Sequence, residues 1–275
     1  MAAFLYRSCN EIIQIWILDI CYVVTYYGAM KKIVFFLTLF VLLFAQPASA
    51  KEKSSDVPML PEIPEKEGIY KDPSDPTKRV RVFIHRQRRV TSNLLTCSDP
   101  DSAEPISASV WRLPTGTWTY RLNTASVPSS VGGSNLPTIS DLGFNEWETA
   151  QSAVTFNRGA DTTVTRSRND GQNIIAWGKT SNSALAVTYG YYNPNTGILT
   201  DVDTLMNSNR QIKWSWTPYS QGACGLANTY DAQAVLTHEQ GHWLGADDEY
   251  TEPFIYHTMY GYGTTGDISS ERLTT

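Results

Sequence analysis

His238 and His242 stand four residues apart with Glu239 beside the first, in the run His238-Glu239-Gln240-Gly241-His242-Trp243-Leu244-Gly245-Ala246-Asp247-Asp248. On a helix, residues four apart lie on one face a single turn from each other, so both imidazoles can reach one metal ion. Glu239 is then placed to take a proton from water at that metal, the general-base half of a metal-assisted hydrolysis. Gly245 should end the helix, because a residue without a side chain takes positive φ at the cap at little cost. The reversal lets Asp248 return as a third ligand, with Asp247 and His257 as alternatives. The chain holds four histidines, His85, His238, His242 and His257, and two of them fall in this run, which weighs against histidines placed by accident on an amphipathic helix.

The elements that must hold these residues can be read around them. Thr229 or Asp231 can cap the helix, and Ala232, Val235, Leu236 and Trp243 mark its buried face. A second helix fits 140–153, where Leu142, Trp147 and Ala150 recur at roughly helical spacing. Strand-like runs at 118–123, 154–156, 162–166, 174–177, 185–192 and 197–205 are separated by Asn, Gly, Pro and Ser turns. Strands and one helix ahead of the metal-binding helix predict an α+β domain beginning near Ser107, with a twisted sheet above the cleft. The segment 51–78, rich in Pro, Glu, Lys, Asp and Ser, reads as a solvated linker or part of a propeptide. Residues 79–90 carry a basic alternation, Arg81-Val82-Phe83-Ile84 and then Arg86, Arg88 and Arg89, that suits a strand or a cleavage site for a trypsin-like protease. Asp201 and Asp203 alternate on one strand face, where a solvated face is the simplest reading.

The helix, the glycine turn and the third ligand resemble the metzincin clan of zinc endopeptidases. Asp248 followed by Glu249 and Tyr250 is similar to the HExxHxxGxxDxY pattern of the snapalysin and immune inhibitor A families. Thr258-Met259-Tyr260-Gly261 resembles the clan's methionine turn, in which Met259 would pack beneath the metal. Trp118-Thr119-Tyr120-Arg121-Leu122-Asn123 resembles the first strand of the matrixins. Leu185-Ala186-Val187-Thr188-Tyr189-Gly190-Tyr191 resembles their substrate-binding edge strand, and 198–203 the strand after it. This resemblance implies a zincin-like catalytic domain with a mostly parallel sheet, an antiparallel edge strand, an active-site helix and a C-terminal helix that would fall beyond Thr275. It implies Zn2+ held by His238, His242 and Asp248, Glu239 as base, and Tyr250 or Tyr262 as donors to the developing oxyanion. A peptide would lie extended along Leu185, Ala186, Val187, Thr188 and Tyr189, with 252–257 as a pocket wall whose Phe254 and Tyr256 favour an apolar side chain. Related acidic positions also bind Ca2+, which extends that expectation to Asp201 and Asp203. Cys97-Ser98-Asp99-Pro100-Asp101 resembles half of the matrixin cysteine switch, without its preceding Pro-Arg and following Gly.

A formal net charge of −5 over 275 residues, with no long basic run, argues against nucleic acid as a main partner. Met30-Lys31-Lys32, the apolar run 33–44 and Ala48-Ser49-Ala50 form the three regions of a secretory signal peptide, with cleavage expected after Ala50. Residues 1–29 then read as an extension from a start assigned too early; a retained N-terminal anchor is the competing reading. After cleavage only Cys97 and Cys224 remain, which fits a disulfide in an exported protein and competes with the switch for Cys97. The function expected is a secreted, monomeric endopeptidase acting on protein or peptide. The alternatives are zinc hydrolysis of a non-protein amide such as a cell-wall component, or a binding module with structural zinc.

Overall fold

The computed structural model describes residues 62–88, 97, 111–151, 153–251 and 254–273. The expected leader, the signal peptide and residues 98–101 of the switch-like motif lie outside them. Residues Leu60–Thr275 form one compact unit. Among the described residues its main sheet has eight strands. They are β1 (Gly68–Lys71), β2 (Arg79–Gln87), β3 (Gly116–Leu122), β4 (Val154–Arg158), β5 (Asn173–Gly178), β6 (Ala184–Tyr192), β7 (Leu199–Asn207) and, farther along the chain, β10 (Tyr262–Gly263). The order is β1-β2-β6-β7-β5-β3-β4, with β10 on β2. Strands β7, β5, β3 and β4 are mutually parallel, β6 is antiparallel to both β7 and β2, and β1 is antiparallel to β2. The sheet is therefore mixed, and the chain is α+β in the broad sense expected.

Strands β5 and β6 are buried at every position, and β7 at all but Thr200. Strands covered on both faces read as near-continuous apolar runs. Under one face lie α1 (Leu136–Ala150) and α2 (Ala232–Trp243). Leu136, Ile139 and Phe144 of α1 and Val235, Leu236 and Trp243 of α2 pack there against Leu122, Ile175, Trp177, Val202 and Met206 of the sheet. Each such side chain, once fully buried, contributes roughly 1.5–3 kcal/mol. On the other face Val80, Val82 and Ile84 of β2 join Ile174, Ala176, Val187 and Leu205, covered by Ile63 and Tyr70.

Several expectations shift. Helix α1 starts at Leu136, ahead of the expected 140, because Pro137 in its first turn fixes a helical φ and gives up an N–H that the first turn leaves unpaired anyway. The run 162–166 is not a strand: Thr162 N–H bonds Leu122 O and the Asn123 amide bonds Val164 O, so single contacts replace a ladder. Within the stretch expected as linker or propeptide, β1 and β2 pair into the main sheet, ahead of the expected domain start near Ser107. Polar surroundings concealed β1, a four-residue edge strand with Ile69 and Lys71 exposed. A pair of two-residue strands, β8 (Trp214–Ser215) and β9 (Tyr230–Asp231), leads into α2, and a short 3-10 turn (Ser269–Glu271) packs on it. No described helix is long and apolar enough to cross a membrane.

Candidate metal centre

Asp231, not Thr229, caps α2: its side chain accepts from the backbone N–H groups of Gln233 and Ala234, two of the donors that a helix start leaves unpaired. The helix ends as the glycine predicted. Gly245 has φ +93°; its N–H bonds His242 O while Ala246 N–H bonds Gly241 O, the paired closure of a Schellman turn. Every residue of α2 is buried. Gly143 and Gly241 let its neighbours approach closely, Gly143 against Gln240 and Thr237, and Gly241 against Met259 Sδ and Trp147.

This reversal aims the ligands. Ala246 O meets His242 Nδ1 at 2.8 Å, and Thr258 O meets His238 Nδ1 at 2.8 Å. A carbonyl at Nδ1 assigns the proton there and leaves Nε2 of each ring free to coordinate. The two Nε2 atoms lie 3.1 Å apart, and Asp248 Oδ1 stands 3.1 Å from that of His238 and 3.5 Å from that of His242. Ligands ~2.0–2.1 Å from a tetrahedral zinc are ~3.3 Å from one another, so the three atoms have the spacing of a coordination edge. Asp248 Oδ1 is buried without a hydrogen-bond partner. Burial alone would raise its carboxyl, but His242 and His238 hold it well below the usual range. His242, pushed down by burial, ends above its ordinary value through Asp248. These residues fit a divalent metal, and of the three candidate third ligands only Asp248 joins the histidine pair; Asp247 and His257 do not.

Glu239 faces the same space, fully buried. Thr188 Oγ1 donates to its Oε2 at 2.5 Å, takes a hydrogen bond from Thr204 Oγ1 at 2.7 Å, and Thr204 in turn accepts from Trp243 Nε1 at 2.9 Å. With the donors so ordered, this chain fixes one carboxylate oxygen and leaves Oε1 with no hydrogen bond. Burial would raise this carboxyl too, but His85, His238 and His242 together bring it below its ordinary value.

Sequence reasoning missed β2 at this site. Phe83 stacks on His242 with ring centres 3.8 Å apart, and His85 packs on His238 at 4.0 Å with its Nδ1 3.6 Å from Glu239 Oε1. His85, His238 and Glu239 form a second group of ligand-type side chains that shares His238 with the first. Burial, and then His238, push His85 down to about 4, so its ring is neutral. The only sequence signal was a histidine in an alternating run.

Leu185, Ala186, Val187, Thr188 and Tyr189 do lie on β6, but β6 is not an edge: β7 pairs on one side and β2 covers the other, where the substrate was expected. Met259 is buried against Trp147, Ala246 and Leu273, and its turn delivers Thr258 O to His238. Tyr250 OH bonds Asp248 Oδ2 and Glu67 Oε2, each at 3.2 Å, and its ring meets Tyr262 at 5.4 Å. A small cleft beside His85 is walled by Val235, Ile255, Tyr260 and Tyr262; Phe254 and Tyr256 are not in its lining. Cys97 and Cys224 form a disulfide with Cα atoms 5.0 Å apart, which removes Cys97 as a switch ligand. Asp201 and Asp203 are buried, contrary to the solvated face expected. Asp201 Oδ2 accepts from Asp170 and Gly171 N–H, and Asp203 from Arg168 and Ile174 N–H, so the pair braces the loop 168–174. Neither joins a group of three metal-ligating side chains among the described residues.

No protein-family profile, curated protein or solved structure matches the chain.

Proposed function

We propose that this chain is a zinc-dependent endopeptidase of metzincin type, exported by way of the signal-like segment 30–50. The observation that carries the reading is the convergence of three ligand atoms, His238 Nε2, His242 Nε2 and Asp248 Oδ1, beside the buried and partly unpaired carboxylate of Glu239. A zinc ion held there supplies a Lewis acid that acidifies water and polarises a carbonyl. Glu239 takes the proton of the attacking water on Oε1 and passes it to the leaving amine nitrogen, while the Thr188 hydroxyl keeps Oε2 in place. Thr258 O and Ala246 O hold the two imidazoles in one tautomer. Tyr250, hydrogen-bonded to Asp248, orients that ligand and lies near enough to donate to an oxyanion. A peptide is favoured over a cell-wall amide because the groove beside β6 already accepts an extended backbone, that of β2.

A second reading has its own observation. β2 covers the ligands, with Phe83 stacked on His242 and His85 packed on His238, and a covered site suits structural zinc. The two part in one experiment on protein from Lys51, assayed intact and after brief trypsin treatment followed by trypsin inhibitor. Chelator-sensitive casein cleavage by the parent, absent in Glu239→Ala at equal zinc content, supports the peptidase. Equal zinc with no cleavage in any form supports the structural site.

A further inference from the structure

We propose that Glu271 is a neutral carboxylic acid hydrogen-bonded to Asp231, a proton-held anchor that fastens the turn Ser269–Glu271 to the start of α2 and loosens as pH rises. The anchor needs no metal and is independent of the peptidase reading.

The two carboxyls lie side by side, within hydrogen-bonding reach of each other, and they are supplied very unequally. Asp231 Oδ1 accepts from Gln233 and Ala234 N–H at 2.8 and 3.1 Å, and its Oδ2 accepts from Thr217 N–H at 2.8 Å. Glu271 is 0% exposed, and neither of its oxygens has a hydrogen-bond partner. Three amide donors favour the ionised form of Asp231. A second buried carboxylate beside it would meet both desolvation and like-charge repulsion, so the pair keeps one proton. That proton belongs on Glu271, where it gives a buried O–H the Asp231 carboxylate as acceptor. The other charged group acting on Glu271 is Asp267, itself held by Ser269 N–H and Oγ–H and facing Arg88 of β2. Arg272, next in the chain, is turned away to Glu146 and the Tyr219 ring.

The residue type makes the contact conditional. A glutamine at 271 could donate to Asp231 at every pH; a glutamate does so only while protonated. Burial, then Asp231, push Glu271 up to about 10 from its ordinary 4.5, with the Tyr219 N–H as a partial offset. Between those values the closed turn holds a proton that an opened turn releases, so the anchor weakens as pH rises through that window. The turn is well placed to matter. Asp231 and Asp267 line the cleft beside His85. Arg272 O accepts from Thr258 Oγ1 at 2.8 Å, and Thr258 O is the carbonyl that holds His238 Nδ1.

The test compares zinc-loaded protein from Lys51 with Glu271→Gln by NMR hydrogen exchange. The reporters are the Arg272 and Leu273 amides, which bond Ser269 O and Glu146 Oε2. Taking the two proteins at the same pH cancels the intrinsic rate. The ratio of parent to variant exchange should climb from about pH 5.5 to about pH 9, by up to about tenfold per pH unit, because opening releases up to one proton. Asp231→Asn, whose side chain still caps a helix, removes the charge that keeps the proton on Glu271. Its exchange should depend on pH less steeply than the parent's, which keeps the test decisive if Glu271→Gln folds poorly. A parent-to-variant ratio constant across the range, or an Asp231→Asn profile as steep as the parent's, would overturn the anchor. So would Ca2+ that slows exchange at high pH in the parent and not in Glu271→Gln, because a cation rather than a proton would then join the two carboxylates.

Discussion

Two pairs of buried carboxylates face different company in this molecule. Glu239 and Asp248 lie among imidazoles, and Asp201 and Asp203 lie under backbone N–H groups of the loop 168–174. Burial is similar, yet the consequences run in opposite directions. Histidines hold Glu239 and Asp248 below their ordinary values against burial. In the other pair burial wins: Asp201 is pushed up to about 7 despite the Gly171 and Asp170 amides, and Asp203, with Asp201 beside it, rises well above the carboxylate range. Amide dipoles offset only part of the desolvation, whereas groups that can carry positive charge offset all of it. Burial of an acid therefore marks no site by itself. What marks one is the kind of partner, because Asp201 Oδ1 is as short of a donor as Glu239 Oε1 and Asp248 Oδ1.

The sharpest way to break the contrast is to remove the metal-facing member. Asp248→Ala should bind less than about a tenth of the parent's zinc at equal total metal, read by mass spectrometry after dialysis, because two histidines alone make a poor zinc site. Retention of full zinc would move the third ligand elsewhere. Thr188→Val deletes the donor that orients Glu239 and leaves the histidines untouched. It should lower kcat of the trypsin-cut enzyme by ~10-fold with zinc content unchanged, on the scale of lost supporting hydrogen bonds; a change in KM alone would deny Thr188 this positioning role.

The structural pair predicts effects on stability only. Cys97→Ser opens a loop of 127 residues and should cost about 2–5 kcal/mol, seen as an earlier denaturant midpoint with metal content intact. The smallest effect concerns pH. Asp201 has a raised pKa in the folded state, so between about 4 and about 7 the native protein holds a proton that the unfolded chain has released, and stability falls as pH rises through that window. Asp201→Asn removes this dependence. Its Tm should gain on the parent's between about pH 5 and about pH 8, by roughly 2–4 °C for each kcal/mol relieved. Both chains keep the same metal site, so the difference between their curves isolates the Asp201–Asp203 pair. Parallel curves would assign the pH response elsewhere.

The local half of the site was legible in the sequence, because helix periodicity and one glycine turn suffice to bring His238, Glu239, His242 and Asp248 together. Thr188, Thr204 and His85 were not, since they reach the site through strand pairing across tens to hundreds of residues, as His85↔Ala186 and Thr188↔Thr204 show. Composition also misled in both directions. The charged, proline-rich stretch before β2 concealed β1, whereas alternating Asp201 and Asp203 looked solvated because their N–H partners lie in a distant loop.

The central claim is that Glu239 performs the hydrolytic proton transfer beside a metal held by its neighbours. Protein from Lys51, cut with trypsin and then treated with trypsin inhibitor, should be compared with Glu239→Gln for zinc content and casein cleavage. The account predicts about one zinc per chain in both and cleavage reduced by ~10²–10⁴-fold in the variant, abolished in the parent by chelator. Equal cleavage by parent and variant, or cleavage that survives zinc removal, would contradict it.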